Sequence, residues 1–155
     1  MKTILILLLL SSCVLLPAQD TTHFKGYCKD HAISWSCFVL AGVSEGFLDE
    51  LQFNYPAVKR RFHTRDKFWN PEISWRNKYK HNDPSQGAKY FGSTTFLAWT
   101  TDGFHLTQGI RNLSLVGGAT FTIQGKRKWY LYVRDFAINA VIYDMTNFIT
   151  QAIIK

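Results

Sequence analysis

Apolar residues in this chain fall into three long segments separated by one polar stretch. His31 to Phe53 has helical spacing and is bounded by Asp30 before it and Pro56 after it. Thr94 to about Leu115 reads as a second helix, closed by Gly117-Gly118. Trp129 to Ile154 reads as a third. Phe121-Thr122-Ile123 suits either a short strand or the link between the last two helices. The pattern predicts a mainly α fold: a three-helix bundle in a single domain over residues 19–155.

Each segment carries a narrow polar stripe on an otherwise apolar cylinder. At about 100° per residue, Ser34, Gly42, Glu45, Asp49 and Gln52 fall within about 60° of His31. The second segment gathers Thr94, Thr101, Asp102, His105, Gln108 and Asn112 in the same way. The third gathers Tyr132, Asp135, Asn139, Tyr143, Thr146 and Thr150. An ordinary amphipathic helix turns such a stripe to water. The alternative turns it inward and gives the apolar faces to lipid, which suits stripes nearly free of Lys and Arg. The breadth of the apolar remainder favours that second, membrane-associated reading, although each segment reaches the length of a span only by including charged groups.

The polar stretch, residues 59–92, is a basic, aromatic insert. It holds nine Lys or Arg against Asp66, Glu72 and Asp83, a net +6 in a chain whose formal charge is +7. Trp69, Trp75, Tyr79, Tyr90 and their neighbours interleave with the cations, and Asn70-Pro71 and Asn82-Asp83-Pro84 mark turns. So long and aromatic a segment is expected to fold down as an ordered loop. Cations among Trp and Tyr suit a membrane surface or an anionic lipid headgroup. They also suit nucleic acid, but the N-terminus argues against that partner.

That N-terminus has Lys2, an apolar run from Ile4 to Leu10 and a small residue, Ala18, before Gln19: a secretory signal over residues 1–18. Leu10-Ser11-Ser12-Cys13 also fits a lipidation site at Cys13, and an uncleaved anchor is the third option. Each places the protein in an exported setting, the cell envelope, at the inner membrane or in the periplasm. An exported chain with Cys28 and Cys37 invites a disulfide, whereas a helical Cys37 serves equally as a small core residue.

The composition excludes a disordered chain or a coiled coil, and the standard nucleophile, zinc-protease and phosphate-loop signatures are missing. The candidate chemistry is a cluster of His31, Glu45, Asp49, Asp102, His105 and Asp135. His and carboxylates converging from facing helices suit a divalent transition metal such as Zn, Mn or Fe. Asp102 orienting His105 as a general base, for hydrolysis of a lipid or envelope ester or phosphate, is the catalytic version. The structural version is a hydrogen-bonded cluster that fixes helix register.

Phe68-Trp69-Asn70-Pro71-Glu72-Ile73-Ser74-Trp75-Arg76-Asn77-Lys78-Tyr79-Lys80, followed by Thr101-Asp102-Gly103-Phe104-His105-Leu106, resembles a family of small uncharacterised bacterial and phage-encoded proteins with FWNPxxSWxNKYK and TDxxHL motifs. The likeness spans roughly residues 31–112. It implies a small membrane or envelope protein in which Asn70, Trp75, Asn77, Lys78, Tyr79, Asp102 and His105 work together. In the site they suggest, for a polar or anionic small molecule or a lipid headgroup, Asp102 and His105 form the centre and Arg76, Lys78 and Tyr79 line the mouth.

Overall fold

The computed structural model describes the backbone of residues 21–155 and the side chains of residues 31–155. The signal expected over residues 1–18, with Cys13, lies outside the described residues. The chain forms two compact units, Met1–Ala32 and Ile33–Lys155, and the architecture below is that of the second. It is mainly helical, with no strand among the described residues. The six helices are α1 (Thr21–Phe53), α2 (Tyr55–Phe62), α3 (Asp66–Trp69), α4 (Pro71–Ser74), α5 (Gly103–Thr122) and α6 (Trp129–Ile154). Single 3-10 turns at Trp75–Lys78, Lys80–Asn82, Pro84–Gln86 and Ala98–Thr100 fill the stretch between α4 and α5.

The third predicted segment is α6. The second is displaced: Thr94 to Thr101 forms turns, and α5 begins only at Gly103. The cause is local, because the Asp102 carboxylate accepts the His105 backbone N–H at 2.9 Å and so caps a helix start. Gly117-Gly118 does not stop α5. Gly118 is buried against the Phe38 ring, where a side chain would collide, so glycine here serves a close helix approach. Phe121 and Thr122 accordingly belong to the last turn of α5 and not to a strand.

Small and polar residues make the bundle interior. Ser34, Thr122 and Asn139 are each no more than 2% exposed. Ser34 and Thr122 share a 2.7 Å hydroxyl bond. The Asn139 amide donates to Thr122 at 2.8 Å and to Ser34 at 3.2 Å, so one node ties α1, α5 and α6. Lower on the bundle, Gly42 and Gly46 of α1 lie against the Tyr143–Thr150 stretch of α6. A methyl group on Gly42 would strike the Tyr143 carbonyl and the Thr146 hydroxyl. The α5 face toward the bundle is Gly103, Thr107, Ser114, Gly118 and Thr122.

Large apolar side chains point the other way. Ile33, Leu40 and Val43 on α1, Leu113 and Val116 on α5, and Val133, Val141 and Phe148 on α6 are all exposed, Leu113 by 76%. The stripes of α1 and α6 therefore turn inward. On α5 the buried stripe is a neighbouring one made of small residues, and Asn112 faces out. No helix among the described residues is long and apolar enough to cross a membrane. The apolar core cluster lies at one end, where Leu51, Ala57, Val58 and Ile154 are buried under Phe47, Tyr55, Trp69 and Phe104; Phe38, Ala41 and Leu48 of α1 are buried as well.

The insert is ordered, as turns and short helices and not as a loop. Asn70 caps α4 through the Glu72 N–H at 3.0 Å, and Asp83 caps the turn at Pro84 through Ser85. Lys89 N–H bonds the Lys78 carbonyl at 2.9 Å and Lys80 N–H the Gly87 carbonyl at 3.1 Å, closing a small hairpin-like turn. Cys37 is a free thiol. Of the two readings offered for Cys37, the helical one fits: Cys28 and Cys37 both lie on α1, and nine residues at about 1.5 Å rise separate them by about 13 Å, roughly twice a disulfide's reach.

Candidate functional site

The two sequence motifs meet at the start of α5. The Asn77 amide donates to the Lys67 carbonyl at 2.7 Å and to the Thr101 carbonyl at 3.1 Å. Trp69 stacks its ring on Gly103, the one residue type that admits so close an approach on that helix. FWNPEISWRNKYK is thereby fastened to TDGFHL through Asn77 and Trp69.

At that junction Asp102 is 1% exposed and accepts several donors. They are the His105 backbone N–H, the Thr101 hydroxyl at 3.2 Å and the His105 Nδ1, within 2.9 Å of both carboxylate oxygens. Burial pushes the Asp102 carboxyl up. The bonds from the His105 ring and backbone outweigh burial and hold it below the ordinary carboxylate range. The His105 side chain is 30% exposed, with Nδ1 turned to Asp102. Asp-x-x-His is here a helix cap plus a fixed imidazole tautomer, and chemically it can do two things: anchor the helix start or present Nε2 as a base.

Arg76 and Lys78 lie over aromatic rings, Arg76 at 5.4 Å from the Trp75 centroid and Lys78 at 5.6 Å from that of Tyr79. Trp75 and Tyr79 meet edge to face at 6.0 Å, and the Trp75 indole N–H bonds the Glu72 carbonyl. These four residues form a cation–aromatic ladder along the insert. Asn70 contributes its cap. The ladder leaves Arg76 exposed and Lys78 partly exposed, which suits anionic headgroups.

The six-residue metal set does not assemble. Glu45 is held by Arg111 at 2.6 Å, and Asp49 accepts from the Gln151 amide at 2.8 Å. Asp135 lies between Arg127 at 2.6 Å and Arg134 at 2.9 Å. Asp102 is engaged by His105, and His31 is buried on the stretch of α1 assigned to the other unit. Among the described residues no three His, Cys, Asp or Glu converge as a metal site. The correction has one cause: the stripe carboxylates find guanidinium, imidazole or amide partners across the bundle, which satisfies them without an ion.

Sequence reasoning missed Arg111, the partner of Glu45, because Arg was read as belonging to water. It placed Gly42 on the stripe of α1 but missed its pairing with Gly46, a G-x-x-x-G spacing that on an apolar helix is a known signature of close helix approach. The aromatic trio Phe47, Phe62 and Trp69 carried no signal in any one window, since it is assembled from three helices. Phe47 meets Phe62 at 5.8 Å and Trp69 at 5.6 Å, both edge to face. No protein-family model, curated protein or solved structure matches this chain.

Proposed function

We propose that this protein is a noncatalytic, membrane-associated protein of the cell envelope that binds anionic lipid. In this reading the outer faces of the bundle meet acyl chains, and the basic, aromatic insert lies at the level of the headgroups. The carrying observation is the reversed sense of the helices: Ser34, Thr122 and Asn139 inside, Leu113, Val116, Val133 and Phe148 outside. In water that arrangement wastes the hydrophobic effect, at about 25 cal/mol per Å² of apolar surface left wet. Against lipid it costs nothing, and small residues with interhelical hydrogen bonds are the usual means of holding helices together there. A helix whose inward stripe is polar has a low average hydropathy, although lipid meets only its outward side. The resemblance to small envelope proteins points the same way.

Flotation tests the reading. Full-length protein is mixed with vesicles of phosphatidylcholine, alone or with phosphatidylglycerol, and detergent is removed. The protein is expected to float with both, more completely with phosphatidylglycerol at low salt, and to stay bound in 1 M salt. Detergent-free, monodisperse protein left at the bottom of the gradient overturns it.

One observation favours a second reading, general-base hydrolysis of a lipid ester or phosphate. Asp102 fixes the His105 tautomer in a part-exposed position, as such a base requires. His105→Gln would then abolish turnover of a lipid ester while leaving the fold intact. Equal turnover by the variant removes this reading.

A further inference from the structure

One end of the bundle holds two cavities, of about 610 and 480 Å³, that share Phe47, Phe62 and Trp69 as walls. Both lie within the usual range for small-molecule pockets, about 300–1,000 Å³. The smaller one runs between α1 and α6 along Val43, Ile149 and Ile153. Its wall also includes Ser44, Thr107, Thr146 and Thr150, which make it look half polar in the sequence.

Their hydroxyls are already committed. Ser44 donates to the Leu40 carbonyl, Thr107 to Gly103, Thr146 to Ile142 and Thr150 to Thr146, all at 2.8–2.9 Å. Each is a bond to the residue's own helix, so the wall shows the cavity methyl groups and aromatic rings. Such a slot holds water poorly and takes an apolar chain well.

The larger cavity is different at its rim. His63, Thr64 and Arg65 line it beside Phe68. Nearby, Asp66 pairs with Lys59 at 2.6 Å and leaves Arg65 without a carboxylate partner among the described residues. Arg60 and Arg61 of α2 add further charge on the same short stretch. An apolar slot that shares an aromatic wall with an arginine-rimmed cavity has the polarity of an anionic amphiphile.

We infer that the paired cavities at Phe47, Phe62 and Trp69 form a discrete site for one anionic phospholipid, its acyl chain in the slot along Val43 and Ile153 and its phosphate against Arg65. This inference rests on the lipid-facing reading above and adds to it a defined, saturable site.

The test is native mass spectrometry of the full chain in an uncharged maltoside detergent, titrated with dioleoyl phosphatidylglycerol or dioleoyl phosphatidylcholine. One phosphatidylglycerol per chain is expected to be retained, half-saturating at least tenfold below phosphatidylcholine. Ile153→Trp, which fills the slot from a position that is half exposed, should remove that adduct. Arg65→Glu, at an exposed position, should weaken phosphatidylglycerol about tenfold and leave phosphatidylcholine unchanged, and 10 mM inorganic phosphate should not displace the lipid. Equal lipid adducts on wild type and Arg65→Glu overturn the site, as does full displacement by inorganic phosphate. If wild type fails to float with vesicles, the broader reading fails; if it floats while Arg65→Glu binds lipid normally, only this site fails.

Discussion

Asn139 of α6 donates a 2.8 Å hydrogen bond to Thr122 at the end of α5, and both side chains are sealed from solvent in the middle of the bundle. Ser34 of α1 completes the node. Three helices are thus joined by a polar contact at the place where water-soluble bundles join theirs by leucine. That node and the close approach at Gly42 and Gly46 fasten α1 to α6.

Asn139→Ala removes two donated bonds but leaves Ser34 and Thr122 bonded to each other. The expected loss is about 1–2 kcal/mol, read as a lowered midpoint in thermal or denaturant unfolding in detergent. An unchanged midpoint would remove the node from the list of fasteners.

Gly42→Leu forces α1 away from α6, because any side chain meets the Tyr143 carbonyl. Overpacking of this kind costs about 1–3 kcal/mol or more, and the variant should lose its cooperative transition or shift it strongly. Gly87→Ala supplies the contrast. Its Cβ meets nothing, and only its backbone is at stake, φ 76° with ψ −171°, a combination open essentially to glycine alone, so the expected cost is about 1–3 kcal/mol.

Asp102 gives the protein an acid limb. Its folded carboxyl lies below the ordinary range, so its contribution is present above the unfolded value, about 4, and is lost as pH falls through the lower folded value. Asp66, lowered first by its bond from Lys59, and Asp83, lowered first by the Ser85 N–H, act in the same direction from exposed positions. Stability measured from pH 6 down to pH 2 should therefore fall, and Asp102→Asn should flatten part of that fall. Asp102→Ala tests the cap, whose loss costs about 1 kcal/mol at neutral pH. A pH profile identical to wild type would contradict the assignment.

Asn77→Ala cuts the two bonds that fasten the insert to Lys67 and Thr101. Limited proteolysis should then cleave within residues 59–92 well before wild type does, while α5 and α6 remain intact. Equal cleavage rates would show that Trp69 on Gly103 is sufficient to hold the segment.

Much of this was legible from residue order. The end points of α6 follow from its apolar run, and the inward stripe of α1 from Ser34, Gly42, Glu45 and Asp49 standing on one side without a lysine. The stripe on α5 differs from the one the spacing predicts, because Asp102 caps the helix and does not stand inside it, and the buried side runs through Thr107, Ser114 and Gly118 while Asn112 is exposed. Residue types also pointed to a metal, since His, Asp and Glu on facing helices look alike whether they hold an ion or each other's partners. Only the positions of Arg111, Arg127 and Gln151 decide between these, and those partners are 66, 8 and 102 residues away from Glu45, Asp135 and Asp49. The Phe47–Phe62–Trp69 wall was invisible for the same reason of sequence separation.

The most direct test of the central claim is fractionation of cells expressing the full chain, with an alkaline carbonate wash and intact mass on the product. The account predicts protein that stays in the membrane pellet through carbonate and leaves it only with detergent. Protein released by carbonate as a monodisperse, detergent-free species would show that the exposed apolar faces of α1, α5 and α6 are not covered by lipid.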